Sequence, residues 1–193
     1  MSGADYSARR TDPAAPVAAV REVKAETILF PDADGPVPNN PDLPVLLMRG
    51  AVEGDADAIM ALYEANGWRR VWTYTVFDYQ HYHPNAHEAL TVASGKADVQ
   101  LGGPSGPVLT VAAGDAMVLP AGTGHCRIGA TDDFAVCGGY PPEQVDRVVV
   151  QAGTMALADA QAQIATLARP ATDPIYGADG PTLRHWGEAA HGA

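Results

Sequence analysis

EALTVASGKADVQLGGPSGPVLTVAAGDAMVLPAGTGH, residues 88–125, is the stretch on which the fold turns. Ala89 to Ser94 is apolar and β-branched, and Gly95-Lys96 stops it. Ala97 to Leu101 runs into the turn Gly102-Gly103-Pro104-Ser105-Gly106-Pro107. Val108 to Val111 ends at Ala113-Gly114-Asp115, and Ala116 to Leu119 ends at Pro120-Ala121-Gly122. Short apolar runs punctuated this densely by glycine and proline read as strands joined by tight turns. The pattern reaches from Trp68 to Tyr140. It takes in a long aromatic and β-branched run over Arg70 to Gln80, and shorter runs at Cys126 to Ile128 and Phe134 to Gly138. An all-β sandwich or barrel follows, and the pattern does not separate the two.

Outward from this core the signals weaken. Residues 1–22, rich in Ala, Pro and Asp, read as a loosely held arm. Glu26 to Phe30 and Val45 to Arg49 read as strands on either side of a loop over Asp32 to Pro44. One helix is expected over Asp55 to Asn66. Asp55 caps it, Ile59, Leu62, Tyr63 and Asn66 share a face, and Gly67 ends it, so that it packs on the outside of a sheet. A second helix is expected over Thr154 to Ala168, capped by Thr154 and stopped before Pro170. Thr172 to Trp186 reads as an irregular tail anchored by Tyr176, Leu183 and Trp186.

The 193 residues suffice for one compact domain with extensions. A net charge of -11 argues against nucleic acid and against an anionic membrane surface, both of which ask for basic patches. No apolar run is long enough for a transmembrane helix, and Arg9 and Arg10 are not followed by the apolar stretch of a secretory signal. The expected compartment is cytoplasmic. The two cysteines, Cys126 and Cys137, read as buried free thiols.

The chemistry gathers in His81-Tyr82-His83-Pro84-Asn85-Ala86-His87-Glu88 and in His125. His81 and His83 stand two apart and share one face of a strand, with Thr75, Phe77 and Tyr79 on the same parity. Glu88 opens the next strand with Leu90 and Val92 on its side. Pro120 and Gly122 reverse the chain and deliver His125. Three imidazoles and one carboxylate that converge can hold a divalent transition metal above an apolar wall of Phe77, Leu90 and Val92. Tyr79 is a candidate hydrogen-bond donor lining this space, and Arg127, on the parity of His125, a candidate contact for an anionic substrate. Met117 and Leu119 read as lining. Cys126 has the opposite parity from His125 and is not proposed as a ligand.

These residues resemble the two motifs of the cupins. The first has the form G-x5-H-x-H-x3,4-E-x6-G, matched by His81, His83, Glu88 and Gly95. The second has the form G-x5-P-x-G-x2-H-x3-N, matched by Gly114, Pro120, Gly122 and His125. Thr75 stands where the first motif begins with glycine, and Gly129 where the second ends with asparagine. Within that family the chain is similar to the YjlB-type bacterial cupins, through His81-Tyr82-His83, His87-Glu88, Tyr140-Pro141 and Thr172-Asp173-Pro174-Ile175-Tyr176-Gly177.

The resemblance implies an all-β double-stranded β-helix, or jelly-roll barrel, with a short helix before the motifs and a helical or irregular C-terminal extension. The expected division is a flexible arm over 1–22, the barrel over 23–152 with its motifs over 70–140, and a C-terminal helix and tail over 153–193. It implies homodimers and metal ligands at His81, His83, Glu88 and His125. His87 and Glu88 have opposite parity, so only one of them faces the metal; the spacing selects Glu88 and leaves His87 in an outer shell or at the surface. Iron or manganese is favoured, with nickel, zinc, copper or cobalt as further candidates. The expected activity is that of a metal-dependent enzyme acting on a small polar molecule, first an oxygenase of the dioxygenase type, next an isomerase or lyase. The alternative is a non-catalytic cupin in which the metal organises a bound or sensed small ligand.

Overall fold

The computed structural model describes residues 9–187. In chain order its strands are β1 (Ala19–Val20), β2 (Glu26–Ile28), β3 (Val45–Met48), β4 (Val52–Glu53), β5 (Arg69–Tyr74), β6 (His81–Tyr82), β7 (Glu88–Ser94), β8 (Lys96–Leu101), β9 (Val108–Ala112), β10 (Ala116–Leu119), β11 (His125–Ala130), β12 (Ala135–Tyr140) and β13 (Val150–Gln151). Three α-helices, α1 (Ala56–Ala65), α2 (Leu157–Ala165) and α3 (Pro181–Trp186), and one 3-10 turn over Pro142–Gln144 complete the described elements.

Two antiparallel sheets make the body. One runs in the order β2-β3-β10-β7-β12-β5 and the other β13-β6-β11-β8-β9, and a small pair, β1-β4, lies apart. Strand alternation explains how they pack. Val45, Leu47, Leu90, Val92, Met117 and Leu119 of the six-stranded sheet join Ala97, Val99, Leu101 and Val111 of the other in one buried cluster. The intervening residues Leu46, Met48, Ala89, Ala116 and Val118 face the opposite way, where Ile59, Met60, Leu62 and Tyr63 of α1 cover them. The inner strands of the six-stranded sheet, β3 and β10 above all, are therefore buried on both faces, while its edge strands β2 and β5 stay partly exposed. This is the two-sheet jelly roll that the punctuated runs and the motifs imply, and α1 lies on its outer face as the sequence predicts.

The expected start of α1 is found as read: Asp55 accepts the Ala58 N–H at 2.9 Å and Asn66 is the C-cap. The start of α2 is not. The helix begins at Leu157 with no side-chain cap, because the Thr154 hydroxyl donates to the Gln151 carbonyl and closes a turn instead. The Arg70–Gln80 run also divides. Strand β5 ends at Tyr74, residues 75–80 are irregular, and Val76 rather than Thr75 enters the core. Arg70 has a positive φ of 53°, beside the register shift between Gly138 and Tyr140 on β12, so β5 is bent where the pairing slips.

The tail is more ordered than its sequence suggests. Asp173, fully buried, accepts N–H groups from Ile175, Tyr176 and Thr182 and so sets up α3. Thr172 donates to the Asn66 carbonyl while Asn66 donates back to Pro174 and Ile175, which clamps the tail to the end of α1. Of the segment expected as a flexible arm, residues 1–8 lie outside the described residues. Beyond them, Thr11 and Asp12 donate to the Asp57 carboxylate, and Ala19 and Val20 pair with β4. Cys126 and Cys137 are buried free thiols, and burial pushes the Cys137 thiol up to about 11. No described helix is long and apolar enough to cross a membrane.

Candidate metal centre

Register brings the two motifs together. On the five-stranded sheet His125 of β11 stands directly opposite His81 of β6, so both side chains leave the same face. On the six-stranded sheet Leu119 pairs with Glu88, which places that carboxylate on the inner side with Leu90 and Val92. The Pro120–Gly124 turn is pinned between them: Gly122 N–H donates to the His83 carbonyl, and the Gly122 carbonyl accepts from Asn39. Gly122 has a φ of 90°, and a Cβ there would lie 2.5 Å from the Asn39 carbonyl oxygen, so the turn accepts only glycine.

The result is a buried cluster between the sheets. His83 Nε2 lies 3.2 Å from Glu88 Oε1 and His125 Nε2 lies 3.3 Å from Glu88 Oε2. One ligand atom from each of these three residues falls within 4.8 Å of the others, a spacing that could hold a metal ion. His81 is beside this trio, its ring centroid 3.9 Å from that of His125 and 6.2 Å from that of His83.

All three rings are oriented the same way. His81 Nδ1 faces the Tyr79 carbonyl, His83 Nδ1 the Val148 carbonyl at 2.8 Å, and His125 Nδ1 the Thr123 carbonyl. A carbonyl only accepts, so the ring hydrogen sits on Nδ1 and Nε2 is left to the cluster, the arrangement metal-bound imidazoles need. The Tyr140 hydroxyl donates to Glu88 Oε1 at 2.6 Å and itself accepts from Trp72 Nε1. Glu88 Oε2 is buried with no well-directed hydrogen bond, although His125 is near. A lone carboxylate oxygen and imidazole nitrogens turned on one point are the donor set of a divalent transition metal, and the residues fit one.

The electrostatics agree. Burial alone would push the Glu88 carboxyl up, but the His83 and His125 rings outweigh it and hold it well below the usual carboxylate range. Burial pulls the His83 ring down, and the Glu88 charge more than reverses this, so its pKa lies above the ordinary histidine value. Burial, with His125 and His83 as neighbours, holds His81 well below it. Glu88 thus favours positive charge on the His83 side of the cluster.

The remaining expected residues are placed as follows. His87 points away from the cluster, as its parity requires, and is buried rather than at the surface. Its Nδ1 accepts from Ala121 N–H and its ring lies 5.0 Å from that of Trp186. Tyr79 stacks on Phe77 at 5.0 Å and presents its edge to His81 at 5.7 Å, while its carbonyl orients the His81 ring. Arg127 donates from Nε to the Val76 carbonyl and makes no ion pair with Glu88 among the described residues. Met117 and Leu119 line the core. Tyr140, Trp72, Asn85 and Arg147 stand at or behind the site with no role foreseen. The sequence signals only Tyr140 among them, through the Tyr140-Pro141 pair of the family resemblance.

Residues 75–137 match the model of the cupin domain. The chain is 37% identical over 166 residues to the uncharacterized protein YjlB of Bacillus subtilis, covering 86% of this chain and 98% of that one. Among solved structures it is similar to an uncharacterized protein with a double-stranded β-helix domain from Klebsiella pneumoniae. That match has 17% identity, covers 74% of this chain and 85% of that one, and has a TM-score of 0.36. It is also similar to acireductone dioxygenase from Bacillus anthracis, at 17% identity over 42% of this chain and 56% of that one, with a TM-score of 0.32. On its motifs, its two-sheet jelly roll and its likeness to YjlB over most of both chains, this chain belongs to the cupins of the YjlB type.

Proposed function

We propose that this cupin is a metal-dependent enzyme acting on a small polar molecule, with oxygenation of the dioxygenase type as its first reaction class and isomerisation or lyase chemistry next. The observation that carries the metal is the shared orientation of His81, His83 and His125, each with Nδ1 on a backbone carbonyl and Nε2 directed inward, around a carboxylate with one unpartnered oxygen. His83, Glu88 and His125 form the nearest ligand set and His81 the fourth member. A bound divalent metal would act as a Lewis acid toward a substrate oxygen and leave positions open for water or oxygen. The mixed imidazole and carboxylate set suits iron or manganese first, then nickel, zinc, copper or cobalt. The cytoplasm is the proposed compartment, and a homodimer, on family likeness alone, the proposed assembly.

Metal content tests this directly. Protein purified without metal-affinity resin should carry about one transition-metal ion per chain. His83→Ala should lose most of it while the fold persists. Metal-loaded protein should then consume oxygen with a small polar substrate, or isomerise or cleave one without oxygen. A wild type that takes up no metal would refute the enzyme and its cofactor together, and full occupancy in His83→Ala would refute the ligand set. Metal uptake without turnover on any substrate would leave a metal-organised binding cupin.

A further inference from the structure

Arg147 is a cation without an anion. Among the described residues it enters no ion pair and no hydrogen bond, and its Nε is buried without a partner. A buried N–H without a partner costs free energy, and the rest of this half-buried guanidinium is left for a partner from outside the chain. Its guanidinium carbon lies 4.6 Å from the Tyr140 ring centroid, and that ring lies 5.6 Å from His83 while its hydroxyl bonds Glu88. The segment carrying Arg147 is built into the first motif. Asn85 donates from its side-chain nitrogen to the Asp146 carbonyl and accepts the Val148 N–H on its oxygen, so one side chain holds the residues on either side of Arg147. The next carbonyl, that of Val148, orients the His83 ring. The stretch that carries His83 and Glu88 thus also fixes, through Asn85, an unpaired guanidinium at the edge of the cluster. A chain of net charge -11 has acids in excess, yet none is spent here.

We propose that Arg147 anchors the anionic end of the ligand of this site, and that the ligand class is a small carboxylate whose second polar group reaches the His83, Glu88 and His125 cluster. This rests on the metal-centre reading above and adds the substrate class to it. Stacked on Tyr140, the guanidinium keeps its N–H edge for a planar carboxylate, a pairing lysine does not reproduce. Its charge also reaches His83 and Tyr140, where it opposes protonation of the one and favours ionisation of the other.

The test uses the full chain loaded with cobalt(II), whose visible spectrum reports on its ligands. Malonate is titrated against wild type, Arg147→Gln and Arg147→Lys, with neutral malonamide as the control, and cobalt content is measured in each protein. Wild type should bind malonate in preference to malonamide. Arg147→Gln should weaken malonate about tenfold or more and erase most of that preference, with Arg147→Lys between. Cobalt content should stay unchanged, because Arg147 is not a ligand. Equal malonate affinity, within about twofold, in either fully loaded variant and wild type would overturn the proposal and leave the metal centre standing, as would a loaded wild type that ignores malonate. A wild type that takes up no cobalt would overturn both. If Arg147→Gln loses the loop and its cobalt, the lysine variant and the malonamide comparison decide.

Discussion

At the residue scale, this site depends on groups that hold other groups. The Tyr140 hydroxyl, fed by Trp72, fixes one oxygen of Glu88 and leaves the other free. Tyr140→Phe should therefore weaken metal affinity about tenfold with the fold intact, measured by competition with a chelator of known affinity. Retained affinity in the variant would show that the hydroxyl does not support the carboxylate. His87 makes a different kind of contribution. Its ring is buried, and burial holds its pKa at about 4, against 6.5 when exposed. The unfolded chain binds the proton more readily, so the stability from a neutral buried His87 is present above about pH 6.5 and lost as the pH falls toward about 4. Across that window wild type should lose about 3 kcal/mol more than His87→Gln in urea unfolding, and parallel curves would contradict it. At this scale the candidate ligands are legible because imidazole and carboxylate spacing is a local signal; parity admits only one of His87 and Glu88, and the motif spacing selects Glu88. Tyr140 and Arg147 were not legible. Each meets the site through a non-local contact, and a lone tyrosine or arginine has no spacing to betray it.

At the scale of elements, the two longer helices show what a cap can and cannot reveal. Asp55 has one available role, because the N–H of Ala58 is unpaired by the helix itself and lies within reach. Thr154 had two, and a hydroxyl that can close a turn on Gln151 takes it when the helix begins later. Asp55→Ala should cost about 1 kcal/mol and Thr154→Ala less than about 0.5 kcal/mol in denaturant unfolding. The reverse order would mean that the α2 boundary is misplaced. The run over residues 70–80 failed for a related reason. Parity counting holds only while a strand stays regular, and past Tyr74 the chain leaves the sheet, so Val76 takes the core position that counting assigned to Thr75. Even so, Phe77 and Tyr79, stacked on each other, both meet His81 edge-on, a contact the pleat does not provide.

For the whole molecule, strand existence was local and readable, while sheet order was not. The pairings that build the centre, His125 with His81 and Leu119 with Glu88, join segments far apart in the chain, and only the motif resemblance tied them together beforehand. The tail shows the same gap. Thr172 to Gly177 matched a family pattern without a reason, and the reason is Asp173: one buried carboxylate receiving three backbone N–H groups, next to a clamp between Thr172 and Asn66. Gly180 packs so closely on Asp173 that a Cβ there would come within 2.2 Å of its carboxyl carbon, so the tail has no slack to rearrange. Removing the carboxylate leaves three donors facing a void, and bonds to a charged acceptor are among the stronger ones. Asp173→Ala should therefore destabilise by about 2–4 kcal/mol. Because α3 carries Trp186 against His87, the loosening should also appear as faster amide exchange at Ala121, whose N–H is bonded to that histidine. Exchange at Ala121 unchanged beside a lowered melting temperature would show that the tail stabilises the fold without reaching the edge of the centre.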